Sequence, residues 1–167
     1  KKYGHLQTKT GGWTVRTDVF VKYGERAGGL KPGFGARSSA IGPELGFGTV
    51  VGDALEEPVL IIKTCWGGKT LMVDFRPPCA GPLPKPLADK MLAGIQRRDP
   101  KATMKAVKER SGAFYSLMMS EVANTLKNLK EVYPDYDGKG YEIAGFGWHQ
   151  GWNDGLSHDM VAAYEEN

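Results

Sequence analysis

The chain has 167 residues, of which 41% are hydrophobic and 25% are charged, and its net charge is +3. The length suits one domain with a sizeable core, and the composition excludes a disordered chain. There is no basic stripe with interleaved aromatic residues, so we expect no nucleic-acid partner. The apolar runs, such as that at residues 59–62, are too short to cross a bilayer, so we expect no membrane partner.

The cysteines and histidines do not indicate a metal site. Cys65 and Cys79 lack CxxC spacing, and the histidines at 5, 149 and 158 do not have the spacing of zinc ligands. Two cysteines without a regular framework are usually free, and a disulfide between them is the alternative that the sequence leaves open.

The start of the chain is rich in Gly, Lys and Thr. Alternation of apolar and polar residues at 13–16 and 19–23 predicts short strands or an irregular hairpin, and the glycines of residues 28–35 predict a loop. We assign residues 1–40 as a hairpin or an irregular insertion and residues 41–167 as an α/β core. Both belong to a single domain, which we expect to be truncated.

A helix is predicted to begin at Pro43, with Gly42 as its N-cap. Proline is favoured at the first helical position, and Glu44 suits the positive end of the helix dipole. The helix is predicted to end near Glu57. Three glycines within it are typical of close packing against a neighbouring element.

A strand is predicted at residues 59–65, with the sequence VLIIKTC. This short run is apolar and β-branched, and it is bounded by Pro58 and by Trp66-Gly67-Gly68. Such a run is typical of a strand that is buried on both faces, which implies a parallel sheet covered by helices.

Helices are predicted for much of the next seventy residues. Moderately helical sequence covers residues 87–95 and 100–110. Apolar residues then recur at three- and four-residue steps over residues 111–133, and Pro134 ends this pattern.

A second strand is predicted at residues 141–148, followed by a polar, glycine-rich stretch and by a helix that begins at Met160. In that stretch, Gln150 and Asn153 are neutral hydrogen-bonding amides, and Asp154 is an acceptor when ionised. Such a set can orient a polar substrate or hold a developing negative charge. The alternative is a surface loop in which Asn-Asp-Gly forms a turn and the tryptophans are core.

The alternation of helices with two buried strands predicts an α/β fold, in which ligands bind beyond the carboxyl ends of the strands. Trp66-Gly67-Gly68 follows the first predicted strand, and residues 150–154 follow the second. We therefore expect both segments to contribute to one site at the same edge of the sheet.

Three segments in this order resemble a known family: IGPELGFG at residues 41–48, LIIKTCWGGKTL at residues 60–71 and WHQGWND at residues 148–154. They resemble the SGNH hydrolases, and more closely the sialate O-acetylesterase and carbohydrate esterase family 6 branch. FRPP at residues 75–78 looks like a variant from the same branch. The resemblance implies a three-layer α/β/α sandwich with a mainly parallel sheet (SGNH/flavodoxin-like), which would be incomplete in this chain.

The resemblance also implies a carbohydrate O-acetylesterase that acts through a serine acyl-enzyme, with an acetylated carbohydrate as substrate and no cofactor. Gly42 would donate its backbone N–H to the oxyanion hole. A side-chain amide would be the second donor. A literal match to the GxND motif selects Asn153, whereas the Gln-Gly-Glu pattern of the branch selects Gln150, with Trp152 in place of that Glu.

Five further residues are candidates for substrate binding: Trp66, Gly67, Gly68, Arg76 and Trp152. The two tryptophans would form an apolar sugar platform or would cap the strand ends. The arginine would bind a carboxylate-bearing sugar or an internal Asp, and we favour the internal partner.

The family's nucleophilic serine motif and its closing Asp-x-x-His motif do not occur in these 167 residues. The family pattern would place them before residue 1 and beyond residue 167, so we expect the 167 residues alone to be inactive. Ser157, His158 and Asp159 are adjacent, and neighbouring loop residues rarely point toward one another as a triad requires. The alternative function is a non-catalytic, carbohydrate-binding or structural derivative of the fold. Family members are often exported, and the sequence does not predict an oligomeric state.

Overall fold

The computed structural model of the protein describes residues 4–165, except for the side chain of His5. The helices and strands are, in chain order, β1 (Arg16–Tyr23), β2 (Arg26–Leu30), α1 (Pro43–Ala54), β3 (Val59–Ile62), α2 (Lys85–Gln96), α3 (Met104–Arg110), α4 (Ala113–Lys127), α5 (Leu129–Val132) and α6 (His158–Ala162). Helices accompany a sheet, so the chain is α/β, as the sequence predicts. No helix within residues 4–165 is both long and apolar enough to cross a membrane.

The described residues group into two compact units. The first unit runs to Cys65 and also includes Glu121–Glu142. The second unit comprises Trp66–Ser120 and the described residues from Ile143 onward.

A three-stranded mixed sheet lies in the first unit. β1 pairs with β2 in antiparallel orientation and with β3 in parallel orientation, which gives the strand order β2-β1-β3. The strand predicted at residues 19–23 lies within β1, and its hairpin partner is β2; residues 13–15, which were predicted to belong to another strand, lie outside both strands. The loop predicted at residues 28–35 is wrong in part, because β2 extends to Leu30. Gly29 belongs to this strand. A Cβ at this position would overlap the Arg16 carbonyl of β1, so a glycine is needed here.

The core of the first unit lies between α1 and the sheet, and Val19, Val21, Leu30, Phe34 and Leu45 form it. The glycines of α1 allow the close packing that the sequence predicts. A Cβ on Gly48 would lie 2.7 Å from Leu30 Cδ2, so only glycine lets the helix approach the sheet so closely. The helix begins as predicted but ends at Ala54, before the predicted end near residue 57.

β3 is shorter and less buried than predicted. It covers four residues, each only half-buried, whereas the sequence predicts a strand that runs to residue 65 and is buried on both faces. Among the described residues β3 has one neighbouring strand, β1. An edge strand of this kind is covered less than a central one.

The strand predicted at residues 141–148 is wrong. These residues have no regular structure and are exposed; Ile143 is 70% exposed and Phe146 is 72% exposed. Within residues 4–165, no backbone–backbone hydrogen bond links the segment to another strand. Apolar alternation is not enough to form a strand, because the backbone N–H and C=O groups also need partners.

The helices predicted after residue 86 are confirmed with different bounds. α2 covers the first of them, and α3 begins at Met104 rather than at residue 100. The helix predicted at residues 111–133 divides into α4 and α5 at Asn128. Asn128 has a non-helical backbone, with φ −116° and ψ 38°, and its side chain donates to the Asn124 carbonyl at 2.9 Å. The helix predicted from Met160 is confirmed only in part, because α6 begins at His158 and ends at Ala162; the predicted residues 166 and 167 lie outside the described residues.

Candidate functional site

Asp154 anchors the polar stretch that the sequence singles out. It is 1% exposed, its Oδ1 accepts the Met72 N–H at 3.0 Å and its Oδ2 accepts the Leu71 N–H at 2.9 Å. A buried carboxylate is stable only when it is paired or hydrogen-bonded, and these bonds meet that need. Asp154 therefore holds two segments of the second unit together and does not face a substrate, contrary to the role that its chemistry suggests.

The segment that Asp154 binds is a compact turn beginning at Thr70. The backbone N–H groups of Asp74 and Phe75 both donate to the Thr70 carbonyl, at 3.1 and 3.0 Å. The Asp74 carboxylate accepts the Thr70 N–H at 2.9 Å. Lys69 precedes this turn, and its Nζ lies 4.0 Å from the centre of the Phe114 ring. The turn therefore holds the Lys69 backbone in a defined place.

Gln150 is fully engaged by internal partners. Its Nε2 donates to the Lys69 carbonyl at 3.1 Å and to Asp154 Oδ2. Its Oε1 lies 3.2 Å from the Tyr164 hydroxyl, which also donates to the Gln150 carbonyl at 2.7 Å. An amide group offers two N–H donors, and both are used here. Gln150 is therefore fixed in position with no N–H left for a ligand.

Asn153 is only lightly engaged. Its Nδ2 donates to the Lys69 carbonyl at 3.3 Å, and its second N–H and its Oδ1 have no hydrogen-bond partner within residues 4–165. The residue is half-buried. Asn153 therefore combines a partly fixed side chain with an available donor and acceptor, which is the arrangement that ligand binding requires.

Trp66 belongs to an aromatic cluster of the second unit. Its ring centre lies 5.3 Å from that of Phe114 and 6.0 Å from that of Phe75. Trp148 completes the cluster at 5.3 Å from Phe75. These contacts leave Trp66 half-buried, so a large part of its ring is used for packing. Gly67 and Gly68 follow it on the surface, and the positive φ of Gly68, 74°, lets the chain turn there.

Trp152 and Arg76 differ sharply in exposure. Trp152 is 83% exposed, whereas Arg76 is 9% exposed. The Arg76 guanidinium donates to the carbonyl oxygens of Ala80, at 2.5 Å, and Gly81, at 2.9 Å. Arg76 thus has internal partners, as expected, and these backbone carbonyls are among them. Trp152 presents a large aromatic surface to solvent.

Gly42 lies in the first unit, at the N-cap of α1, as predicted. Its N–H donates to Glu44 Oε1 at 2.9 Å. A Cβ on Gly42 would lie 2.7 Å from Lys63 Nζ and would also overlap the Glu44 carboxylate, so a side chain here would displace both charged groups. The N–H that the family pattern assigns to the oxyanion hole therefore has a carboxylate partner in the same turn.

Glu44 and Lys63 form a buried ion pair beneath this turn. Lys63 Nζ lies 2.6 Å from Glu44 Oε2 and donates to the Phe34 carbonyl at 2.6 Å. It also lies 4.8 Å from the centre of the Tyr23 ring. The hydrogen bond of Tyr23 with Cys65, together with burial, raises the pKa of Tyr23 to about 12. Cys65 and Cys79 are both exposed free thiols.

The sequence did not identify the residues that hold the candidate site in place. The sequence explains Glu44 only as a favourable charge at the start of a helix, and it gives no reason to select Tyr164. A backbone carbonyl such as that of Lys69 cannot be identified from a sequence pattern. The available signal was Asp154, an acidic residue that follows the candidate donor Asn153 directly.

Comparisons with models of known protein families, with curated proteins and with solved structures give no match for this chain.

Proposed function

We propose that this chain forms the oxyanion-stabilising part of a carbohydrate O-acetylesterase of the sialate O-acetylesterase type. The nucleophilic serine and the Asp–His pair would come from outside residues 1–167. The complete domain would be a three-layer α/β/α sandwich with a mainly parallel sheet. Its substrate would be an acetylated carbohydrate, and the reaction would need no cofactor.

In the proposed reaction, the serine Oγ gives its proton to the histidine and forms a bond to the carbonyl carbon of the acetyl group, and the carbonyl oxygen takes up negative charge. The bond to the sugar oxygen then breaks, the sugar oxygen takes the proton from the histidine, and water hydrolyses the acetyl-serine to release acetate. Fixed N–H donors aimed at the carbonyl oxygen lower the barrier, because they need no reorganisation when the charge develops. We assign this role to the side-chain amide of Asn153.

The contrast between Gln150 and Asn153 is the observation that carries the proposal. Both amides donate to the Lys69 carbonyl, yet only Asn153 keeps an N–H without a partner in the described part of the chain. This supports Asn153 as the oxyanion donor and Gln150 as a residue that positions it. The exposed ring of Trp152, next to Asn153, is a suitable surface for the apolar face of a sugar.

The proposal is tested with the complete protein, expressed from its full reading frame. We expect it to release acetate from O-acetylated xylan or O-acetylated sialic acid. We also expect an organophosphate that labels activated serines to stop the reaction. The 167 residues alone should release no acetate. If the complete protein binds these sugars but releases no acetate, the esterase proposal is wrong and the chain belongs to a non-catalytic carbohydrate-binding protein.

A further inference from the structure

α2, α3 and the connection between them concentrate the positive charge of the protein. Residues 85–110 contain eight Lys and Arg against three Asp and Glu, so their net charge is +5. The whole chain carries +3, so the rest of the chain carries −2. We refer to residues 85–110 as the basic hairpin.

The acidic residues of the basic hairpin already have partners, which are Lys85 for Asp89 at 2.6 Å, Lys105 for Glu109 at 3.8 Å, and the Lys101 backbone N–H for Asp99 at 3.2 Å. Six cations have no carboxylate within salt-bridge distance anywhere in residues 4–165, and all six are exposed: Lys90, Arg97, Arg98, Lys101, Lys108 and Arg110. The positive charge of this surface is therefore not neutralised within the described chain.

The six unpaired cations are close together in the sequence, and each lies in α2, in α3 or in the connection between them. Arg97, Arg98 and Lys101 lie in the connection between α2 and α3, where α2 packs against α3. Lys90 lies in α2, seven residues before Arg97, which is the C-cap of that helix and has helical backbone angles, so the two lie about 10 Å apart along the helix axis. Cations placed in this way can bind several anionic groups of one chain molecule at once.

Two classes of polyanion suit the basic hairpin poorly. A membrane surface is usually bound with apolar side chains that enter the lipid, and no large hydrophobic residue in residues 85–110 is exposed. Single-stranded nucleic acid is usually bound with aromatic side chains that stack on bases, and residues 85–110 contain no Phe, Tyr or Trp. The surface therefore offers charge alone.

We propose that the basic hairpin is a docking surface for an anionic polysaccharide, whose repeating sugars carry carboxylate or sulfate groups. The choice of a polysaccharide rests on the proposed function, in which the substrate is a carbohydrate. An anionic polymer matches a surface with several unpaired cations, and attraction of this kind raises the local concentration of the polymer.

The test measures binding of the full chain to labelled polygalacturonate and labelled dextran sulfate, with neutral dextran and duplex DNA for comparison. We expect binding to at least one of the two anionic polysaccharides, with an affinity that falls about tenfold or more as salt rises severalfold. Neutral dextran should not bind. Absence of binding to both anionic polysaccharides, or tighter binding to duplex DNA, would overturn the proposal.

A pair of triple variants separates this surface from net charge. Arg97→Gln, Arg98→Gln and Lys101→Gln together should weaken polysaccharide binding about tenfold or more, since three phosphate-like contacts are lost. Lys9→Gln, Lys127→Gln and Lys130→Gln remove the same charge from exposed positions elsewhere, and should weaken it less than about twofold. Equal weakening by the two triples would contradict a local docking surface, once circular dichroism shows that both variants are folded.

Binding and hydrolysis are read separately, so the two proposals fail in different ways. Binding that depends on the basic hairpin, without acetate release by the complete protein, would support the docking surface and reject the esterase. Acetate release without binding to either anionic polysaccharide would support the esterase and reject the docking surface.

Discussion

The Asp154 carboxylate accepts the backbone N–H of Met72 at 3.0 Å, although the two residues are 82 positions apart in the chain. This contact fixes the place of the residue before Asp154, which is Asn153. It also brings the Lys69 carbonyl to the amides of Gln150 and Asn153. The chemistry of the candidate site therefore depends on a carboxylate that is itself buried.

Asp154→Ala should destabilise the protein, because it leaves the N–H groups of Leu71 and Met72 without acceptors. Each buried, unsatisfied donor costs about 1–3 kcal/mol, so we expect a loss of about 2–6 kcal/mol in the free energy of unfolding. Urea denaturation measures this loss. Asp135→Ala, at an exposed carboxylate with no hydrogen bond within the described chain, should change it by less than about 0.5 kcal/mol. Equal effects of the two variants would contradict the role given to Asp154.

Gly52→Ala and Gly46→Ala should change stability in opposite directions, although both glycines lie in α1. A Cβ at Gly52 would overlap the Val19 side chain and approach the Arg16 guanidinium, so we expect a loss of about 1–3 kcal/mol from overpacking. A Cβ at Gly46 meets nothing within 4 Å, so alanine should add about 0.5–1 kcal/mol through its higher helix propensity. Thermal unfolding of both variants checks the two signs. A gain in stability from Gly52→Ala would contradict the packing described for α1.

Features that depend on neighbouring residues could be predicted from the sequence, and features that depend on distant segments could not. The start of α1 was predicted correctly because Gly42, Pro43 and Glu44 act locally, within one turn. The strand at residues 141–148 was predicted wrongly, because a strand forms only when a partner strand accepts and donates its backbone hydrogen bonds. A pattern of apolar alternation does not identify such a partner. The contact between Asp154 and residues 71 and 72 could not be predicted, because it depends on how distant segments meet.

Lys63→Met should destabilise the first unit, because it leaves the Glu44 carboxylate buried without its cation. Removal of one member of a buried ion pair costs about 3–5 kcal/mol. The double variant with Glu44→Gln should be less destabilised than the single variant, since no unpaired charge then remains. Chemical denaturation of both single variants and of the double variant gives the coupling energy. Additive effects would show that the two side chains do not act as a pair.

Tyr23 should make stability depend on pH in the alkaline range. Its hydrogen bond with Cys65 and its burial raise its pKa from 10.0 to about 12, so the folded state favours the neutral phenol. The resulting stabilisation is fully present below the ordinary pKa of 10.0 and is lost as pH rises through about 12. The Tyr23→Phe variant should not show the loss of unfolding free energy that Tyr23 ionisation causes at high pH. Tyr141→Phe, at an exposed tyrosine, should still show it. The free energy of unfolding, measured across this range, should therefore have the same slope in Tyr141→Phe and wild type, and a shallower slope in Tyr23→Phe. Equal slopes in all three proteins would contradict the prediction.

The most direct test of the proposed function compares Asn153→Ala with Gln150→Ala in the complete protein, with kcat and Tm measured for each. Loss of an oxyanion donor costs about a hundredfold or more in kcat, so Asn153→Ala should lower kcat by this amount while leaving Tm nearly unchanged. Gln150→Ala should lower both kcat and Tm, because the hydrogen bonds of the Gln150 side-chain amide hold the site together. An Asn153→Ala enzyme with the kcat of the wild type would contradict the assignment of Asn153 to the oxyanion hole.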